Sequence, residues 1–368
     1  MKRILAQCVK ELAQFRRDRI TLGLAFLLPL LSLFIFGFAI RLESKNIPLV
    51  IQDFDRSGLS RTYIERLFAT NQFQPVRWSP NEPVEEALDQ GVAKAAIIIP
   101  PEFSRRIKAD KQSPVQVLVD GTDANNARVI RNSIQATTNF FLSADGLVDR
   151  FEPIKAQIRL WFNPGRKESL YIVPGVYAVV LWIFPSLLAA IAMVREKEKG
   201  TILQVYASSL TASELLLGKA LAYVLVGLCE ALIVMGLGWL IFRVGFAGDP
   251  APLLISTPIY LAVAIMFGLF LGVRSNNQNT AVQGVALIGF LTAFLLSGFI
   301  YPLSNIPFPL SLISNIVPAR YFIVITRDAF VRGVGWAGIW FDLLMIILIG
   351  LLLFNIARRL LSRMQLPY

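Results

Sequence analysis

Six stretches of the chain carry almost nothing but apolar side chains: roughly 20–40, 170–194, 217–242, 253–273, 279–301 and 338–357. A helix crosses the hydrocarbon core of a bilayer in about 20 residues, so each stretch predicts a membrane span. The first reads as a retained span and not a cleaved leader, because Arg41 and Glu43 follow it where a small-x-small cleavage site would stand. Between the first and second runs the pattern changes. "IPLVIQDFD", "AKAAIIIPPEF" and "VQVLVDG" read as buried strands, while "SGLSRTYIERLFAT" spaces Leu59, Tyr63, Leu67 and Phe68 as a helix and "NEPVEEALDQG" reads as another closed by Gly91. Alternating strands and helices over residues 41–169 predict a small α/β domain with its own core. From Ala124 to about Leu160 the pattern is helical, and "WFNPG" then breaks it before the second span.

Two further segments are amphipathic or broken. Residues 2–17 place Leu5, Cys8, Leu12 and Phe15 on one helical face and Lys2, Gln7, Lys10, Glu11, Gln14 and Arg17 elsewhere, which predicts an interfacial helix within 1–19. Residues 302–337 are too apolar for a free loop and carry prolines at 302, 307, 309 and 318. Two short re-entrant helices are expected there, the second starting at Pro318 and ending before Gly333. The expected order is therefore 1–19, span one at 20–40, an extracytoplasmic domain at 41–169, span two at 170–194, a loop at 195–216, spans three to five within 217–301, the broken segment at 302–337, and span six with its tail at 338–368.

Composition supports the membrane reading: 55% of the 368 residues are hydrophobic and 17% charged, with mean hydropathy +0.58. The net charge of +11 reads as topological, not as a nucleic-acid footprint. Lys2, Arg3, Lys10, Arg16, Arg17 and Arg19 precede span one, Arg195, Lys197, Lys199 and Lys219 lie between spans two and three, Arg274 follows span four, and Arg358, Arg359 and Arg363 follow span six. By the positive-inside rule both termini and the 195–216 loop are cytoplasmic, in a cell inner membrane. Arg320, Arg327 and Arg332 are the exception to that alternation. The two cysteines, Cys8 and Cys229, lie outside the inserted domain, which must fold without disulfides. There is no histidine and no G-x-x-x-x-G-K-[ST], so the usual general base and the phosphate-cradling loop are both missing.

The densest chemistry sits in "VREKEKGTILQVYASSLTASELLLGK", residues 194–219. Thr211-x-x-Glu214 is a capping box that starts span three inside the loop. Upstream, Ile202, Val205, Tyr206 and Leu210 form an apolar stripe on a short helix beside a charged shoulder, a pattern that fits a partner protein. This stretch resembles the coupling-helix region of ABC-2 type exporter permeases, in which E-x-G-T precedes a hydrophobic stretch and E-L-L-x-G-K enters a span. "WFNPGRKESLYIVPG" and "YPLSNIPFPLSLISNIVPARYFIVITRDAFVRG" are similar to two further segments of that family. The resemblance implies a dimeric exporter: two permease copies, or one with a close paralogue, driven by separate ABC ATP-binding subunits that carry ATP and Mg, with this chain binding no cofactor and doing no catalysis. A periplasmic adaptor is a further expected partner, beside the lipid bilayer. Carried over by position, Arg195, Glu196, Glu198, Gly200 and Thr201 would contact the ATPase, Ile202, Val205 and Tyr206 would insert into its groove, and Glu214, Gly218 and Lys219 would fix the exit into span three. Ser208 and Ser209 stand where many relatives have a proline. The expected cargo is hydrophobic or amphipathic, a drug or lipid-like molecule, as in multidrug efflux.

Two other classes account for less of the sequence. A membrane sensor or mechanical transmitter explains the domain and the hinge but not the broken segment at 302–333. An intramembrane enzyme lacks histidine and any close pair of intramembrane carboxylates. Glu230, eleven residues after Lys219 and so about 16 Å deeper at 1.5 Å per residue, is the most isolated carboxylate in any span. A bare carboxylate there costs a few kcal/mol, so it should face water, take up a proton or find a donor. With Tyr223 on the same face, it lines a transport path for cationic cargo or makes a structural contact at a dimer seam.

Overall fold

Inside a bilayer each backbone N–H and C=O must be satisfied within its own segment, and the apolar runs accordingly fold as helices. The computed structural model describes residues 1–39, 46–79, 82–109, 111–121, 124–144, 162–163, 167–201 and 210–363. They form two units, Met1–Ile40 with Arg159–Tyr368, and Arg41–Ile158.

In the first unit, α1 (Lys2–Arg17) leads after Asp18 into α2 (Arg19–Ala39). Six described helices are long and apolar enough to cross a membrane, the first spanning Arg19–Phe38 and the others Ser169–Glu198, Ala212–Phe242, Ala251–Arg274, Gln278–Leu295 and Trp336–Ser362. Ser169–Glu198 is the hub, buried along most of its length against the helices around it. Its closest neighbour is Ala251–Arg274. A Cβ at Gly268 would run into the Ser186 carbonyl, and one at Gly272 would lie 2.8 Å from the Ala190 carbonyl oxygen, so backbone meets backbone. The Ser186 hydroxyl donates to the Ala264 carbonyl at 2.7 Å and the Tyr260 hydroxyl to the Ala178 carbonyl at 2.7 Å, which ties the two helices at two depths.

The fifth span is shorter than its apolar run. It passes through a π-helical stretch at Val285–Phe290, ends at Leu295, and bends through Gly298 at φ +82°. After a 3₁₀ turn at Leu303–Asn305 come the short helices Leu310–Ser314 and Pro318–Arg327. The latter continues as a π turn over Asp328–Arg332 and stops at Gly333, φ +69°. Thr326 anchors this segment by donating to the Pro174 carbonyl at 2.9 Å.

The inserted unit is α/β. Strands β1 (Ile47–Asp53), β2 (Phe73–Pro75), β3 (Ala95–Ile99) and β4 (Gln116–Val119) lie in the order β2-β1-β3-β4. β1 pairs in parallel with β2 and β3, with Leu49 opposite Ala95 and Ile51 opposite Ile97, whereas β4 is antiparallel to β3. Leu49, Ile97 and Ile99 pack one face against Tyr63, Leu67, Phe103 and Phe141, and Val50 and Ala96 pack the other against Val84 and Ala87. Pro100 and Pro101 deny β3 further ladder donors, so Phe103, expected at the strand's end, begins the helix Phe103–Lys108 instead. Ser57 caps Gly58–Ala69 by accepting from the Ser60 N–H. The helix Ala124–Ala144 completes this unit; the helical pattern read as far as Leu160 lies beyond Ala144 outside the described residues.

Candidate functional site

Labels for the helices that build the site follow chain order: α7 (Ser169–Glu198), α8 (Ala212–Phe242), α9 (Ala251–Arg274) and α10 (Gln278–Leu295). Helix α7 does not stop where its apolar run stops. Arg, Glu and Lys are good helix formers, so the charged run continues it to Glu198, and Gly200 at φ +67° ends it. Successive helical residues are turned by about 100°, and four consecutive charges therefore point four ways. Each finds a different neighbour.

Arg195 donates to Asp18 Oδ2 at 2.8 Å and to the Thr21 hydroxyl at 2.9 Å, at the corner between α1 and α2. Glu196 is buried, accepting from Lys10 Nζ at 2.7 Å and lying 3.3 Å from Lys219 Nζ. Lys197 donates to the carbonyls of Gly272 at 3.2 Å, Ser275 at 3.1 Å and Val273, the unpaired acceptors at the C-terminal end of α9. Glu198 accepts from the Gln278 backbone N–H at 2.8 Å and from the Gln278 side chain, at the first turn of α10. Thr201 donates back to the Glu196 carbonyl at 3.2 Å. Ile202, Val205, Tyr206, Ser208 and Ser209 lie outside the described residues.

The chain leaves the loop through the capping box read from sequence. Glu214 N–H donates to Thr211 Oγ1 at 3.2 Å and Thr211 N–H to Glu214 Oε2 at 2.9 Å. Glu214, Gly218 and Lys219 all meet α1. Arg3 Nη1 lies 3.8 Å from Glu214 Oε2, a Cβ on Gly218 would sit 2.6 Å from Gln7 Cβ, and Lys219 Nζ donates to Glu11 Oε1 at 2.6 Å. Lys219 has no exposed surface and Glu11 only 2%; Gln7 also donates to Glu11, at 2.8 Å. At the α1–α2 corner the Thr21 hydroxyl, reinforced by Arg195, holds the Asp18 carboxyl below its usual range.

These contacts revise two sequence readings. The face of α1 that packs on α8 consists of Gln7, Cys8, Glu11 and Phe15, and Leu5 is left exposed. Glu11, read as part of the polar face, is drawn inward because Lys219 waits on the other side. Glu196 is likewise turned into the protein, so of the two glutamates only Glu198 stands at the surface. Sequence reasoning missed Lys10, Glu11, Asp18 and Gln278 as members of the site. The signal that could have found them is a basic Lys219 set inside an apolar helix start, which needs a buried acid.

Farther along α8, Tyr223 is buried with its ring edge-on to Phe15, centroids 6.3 Å apart. Glu230 is fully buried, and neither carboxylate oxygen has a hydrogen-bond partner among the described residues. One turn before it, Gly227 leaves room for Leu261 of α9, to which a Cβ would come within 3.1 Å. Glu230 is covered by its own chain, so a contact on the protomer surface is not what satisfies it.

Residues 19–359 match the family model described as "ABC-2 family transporter protein". Among curated relatives, the chain is similar to the "Probable multidrug ABC transporter permease YbhS" of Escherichia coli (strain K12), 28% identical over 336 residues that cover 90% of this chain and 89% of that one. It is also 28% identical over 339 residues to "Probable multidrug ABC transporter permease YbhR" of the same strain, covering 90% and 91%. The "Inner membrane transport permease YhhJ" from that strain is 27% identical over 349 residues, covering 89% and 91%.

Proposed function

This chain belongs to the ABC-2 transporter family, and we propose that it exports a hydrophobic or amphipathic molecule, drug or lipid-like, out of the cytoplasm or inner leaflet. It is the permease subunit of an ABC exporter and not itself the ATPase. The drive comes from an ABC ATP-binding subunit, which holds ATP and Mg. A second permease copy or a close paralogue completes the pair, and an adaptor protein engages the extracytoplasmic domain. Both termini and the 199–211 loop face the cytoplasm.

The observation that carries this reading is the anchoring of that loop. Its entry is tied by Arg195, Glu196, Lys197 and Glu198 to α1, α2, α9 and α10, and its exit by Lys219 to α1. A push on the loop therefore reaches four helices besides α7 and α8 themselves. Contact with the ATPase falls to Glu198, Gly200 and Thr201 with the stripe Ile202, Val205 and Tyr206, while Arg195, Glu196, Glu214, Gly218 and Lys219 hold that stripe in place. Tyr223 and Glu230 are proposed to border the transport path, which opens when α8 moves.

The test is co-purification with the ATP-binding subunit, followed by a screen for compounds that raise its ATP turnover and enter inverted vesicles. Reversing Glu198 to Lys together with Val205→Asp should abolish co-purification while the permease stays inserted. Normal co-purification and transport in that double variant would remove the loop from the interface.

A further inference from the structure

Resting on the exporter reading above, we propose that Trp182 and Glu230 frame one cargo site at mid-span, which takes an amphiphile whose head group carries a protonated amine beside a hydrogen-bond acceptor. The ammonium pairs with the Glu230 carboxylate, and the Trp182 indole N–H donates to the acceptor. Trp182 is then the residue that tells one amine from another.

Trp182 is 2% exposed and Glu230 not at all, and among the described residues neither the indole Nε1 nor either Glu230 oxygen has a hydrogen-bond partner. Two contacts between α7 and α8 fix their relative depth. The Tyr177 hydroxyl donates to the Met235 carbonyl at 3.4 Å, and Lys219 Nζ donates to the Ala192 carbonyl at 3.4 Å. Trp182 lies five residues after Tyr177 and Glu230 five before Met235; Trp182 lies ten before Ala192 and Glu230 eleven after Lys219. The antiparallel helices therefore bring both groups to one level. Helix α9 closes the third side: the Trp182 ring stacks on Phe267 with centroids 5.0 Å apart and lies 5.9 Å from Tyr260, while Leu261 fills the gap at Gly227, one turn before Glu230. These walls are apolar and aromatic, as the body of an amphiphile requires.

The neighbouring hydroxyls are already spent, Tyr260 on the Ala178 carbonyl and Ser186 on the Ala264 carbonyl, both at 2.7 Å. An indole N–H only donates and a carboxylate only accepts, so a ligand that satisfies both must bring an acceptor and a donor. An ionised carboxylate in a dry interior also demands a positive partner, which makes that donor an ammonium. Both groups are covered by the packed helices, and cargo reaches them when α8 moves away from α7.

The experiment uses two single-chain amines of equal length, tetradecylamine and 3-decyloxypropylamine, which differ by one ether oxygen in place of a methylene. Each is scored on the full chain in lipid nanodiscs by the concentration that gives half of its rise in melting temperature, and in inverted vesicles with the ATP-binding subunit by ATP-driven uptake. Wild type should favour the ether amine by about tenfold, because a buried donor left unpaired rejects the analogue that lacks the acceptor. Trp182→Phe keeps a ring against Phe267 and removes the N–H, so its preference should fall to within about twofold, while Glu230→Gln should lose about tenfold for both amines. The proposal is overturned if the wild type answers to neither amine or to both equally, if the preference survives Trp182→Phe, or if Glu230→Gln binds both amines normally. Should Trp182→Phe fail to assemble, the wild type and Glu230→Gln decide by the same criteria. A wild type stabilised by the ether amine as expected that moves no compound with ATP counts against the exporter reading instead.

Discussion

Two buried charged centres lie on one helix, eleven residues apart, and they are built in opposite ways. Around Lys219 the charges answer each other: Glu11 and Glu196 against Lys219 and Lys10, with Gln7 filling a remaining acceptor. Around Glu230 no partner among the described residues touches either oxygen. A buried ion pair can be close to neutral for stability, but removing one member strands the other and costs roughly 3–5 kcal/mol. A lone buried carboxyl has no pair to lose, and escapes that cost by binding a proton or meeting a ligand. The first centre therefore has the construction of a fastener, and the second that of a group held ready for a ligand or a proton.

Four perturbations break or sharpen this contrast, in falling order of effect. Lys219→Glu sets three carboxylates around Lys10, and the expected outcome is no folded permease by size-exclusion of the detergent extract. A folded peak with wild-type melting temperature would show that the cluster tolerates any charge and is no fastener. Gly218→Val drives a branched side chain into Gln7 and the Ile4 carbonyl, so α1 must lift away. Thermal melting should fall by about 3 kcal/mol equivalent, a typical overpacking cost. Glu230→Gln removes charge without changing shape. The variant should melt at or above the wild-type temperature, since a stranded acid is relieved, while export of cationic cargo drops at least tenfold and neutral cargo is spared. Equal loss for both cargo types, or a lower melting temperature, would return Glu230 to a packing role.

The smallest effect belongs to Asp18, half-exposed at the corner of α1 and α2. Its folded carboxyl is held below the unfolded value, so it contributes stability above about pH 4 that is lost as the pH falls through the lower folded value. Asp18→Asn should lower the melting temperature by a degree or two at pH 7. That difference should shrink as the pH falls through the lowered folded value and vanish once both states are protonated.

The spans were legible because twenty apolar residues have one stable arrangement in a bilayer, and the capping box because Thr211 and Glu214 act on their own helix. The inserted domain's long strands showed for a similar reason, whereas β2 is three residues, too short to display a period. The charged run was harder. Its composition is that of a solvated face, yet Glu196 is buried by Lys10, 186 residues away, and Lys219 by Glu11, 208 residues away. Periodicity within a helix reports which side is apolar; it does not report that an acid and a base from distant segments will neutralise each other inside. The early end of the fifth span at Leu295 escaped notice likewise, since Leu296, Phe299 and Ile300 are as apolar as the helix before them.

The distance in sequence between Glu11 and Lys219 also sets an order of events during synthesis. At about 5–20 residues per second, the ribosome needs roughly 10–40 s after finishing the N-terminal helix before Lys219 exists. Through that interval Glu11 has no buried partner and no reason to leave water. The helix docks only once the third span has been delivered, so a chain halted before it keeps a loose, protease-accessible N-terminus, and a docked one has already passed inspection of three spans.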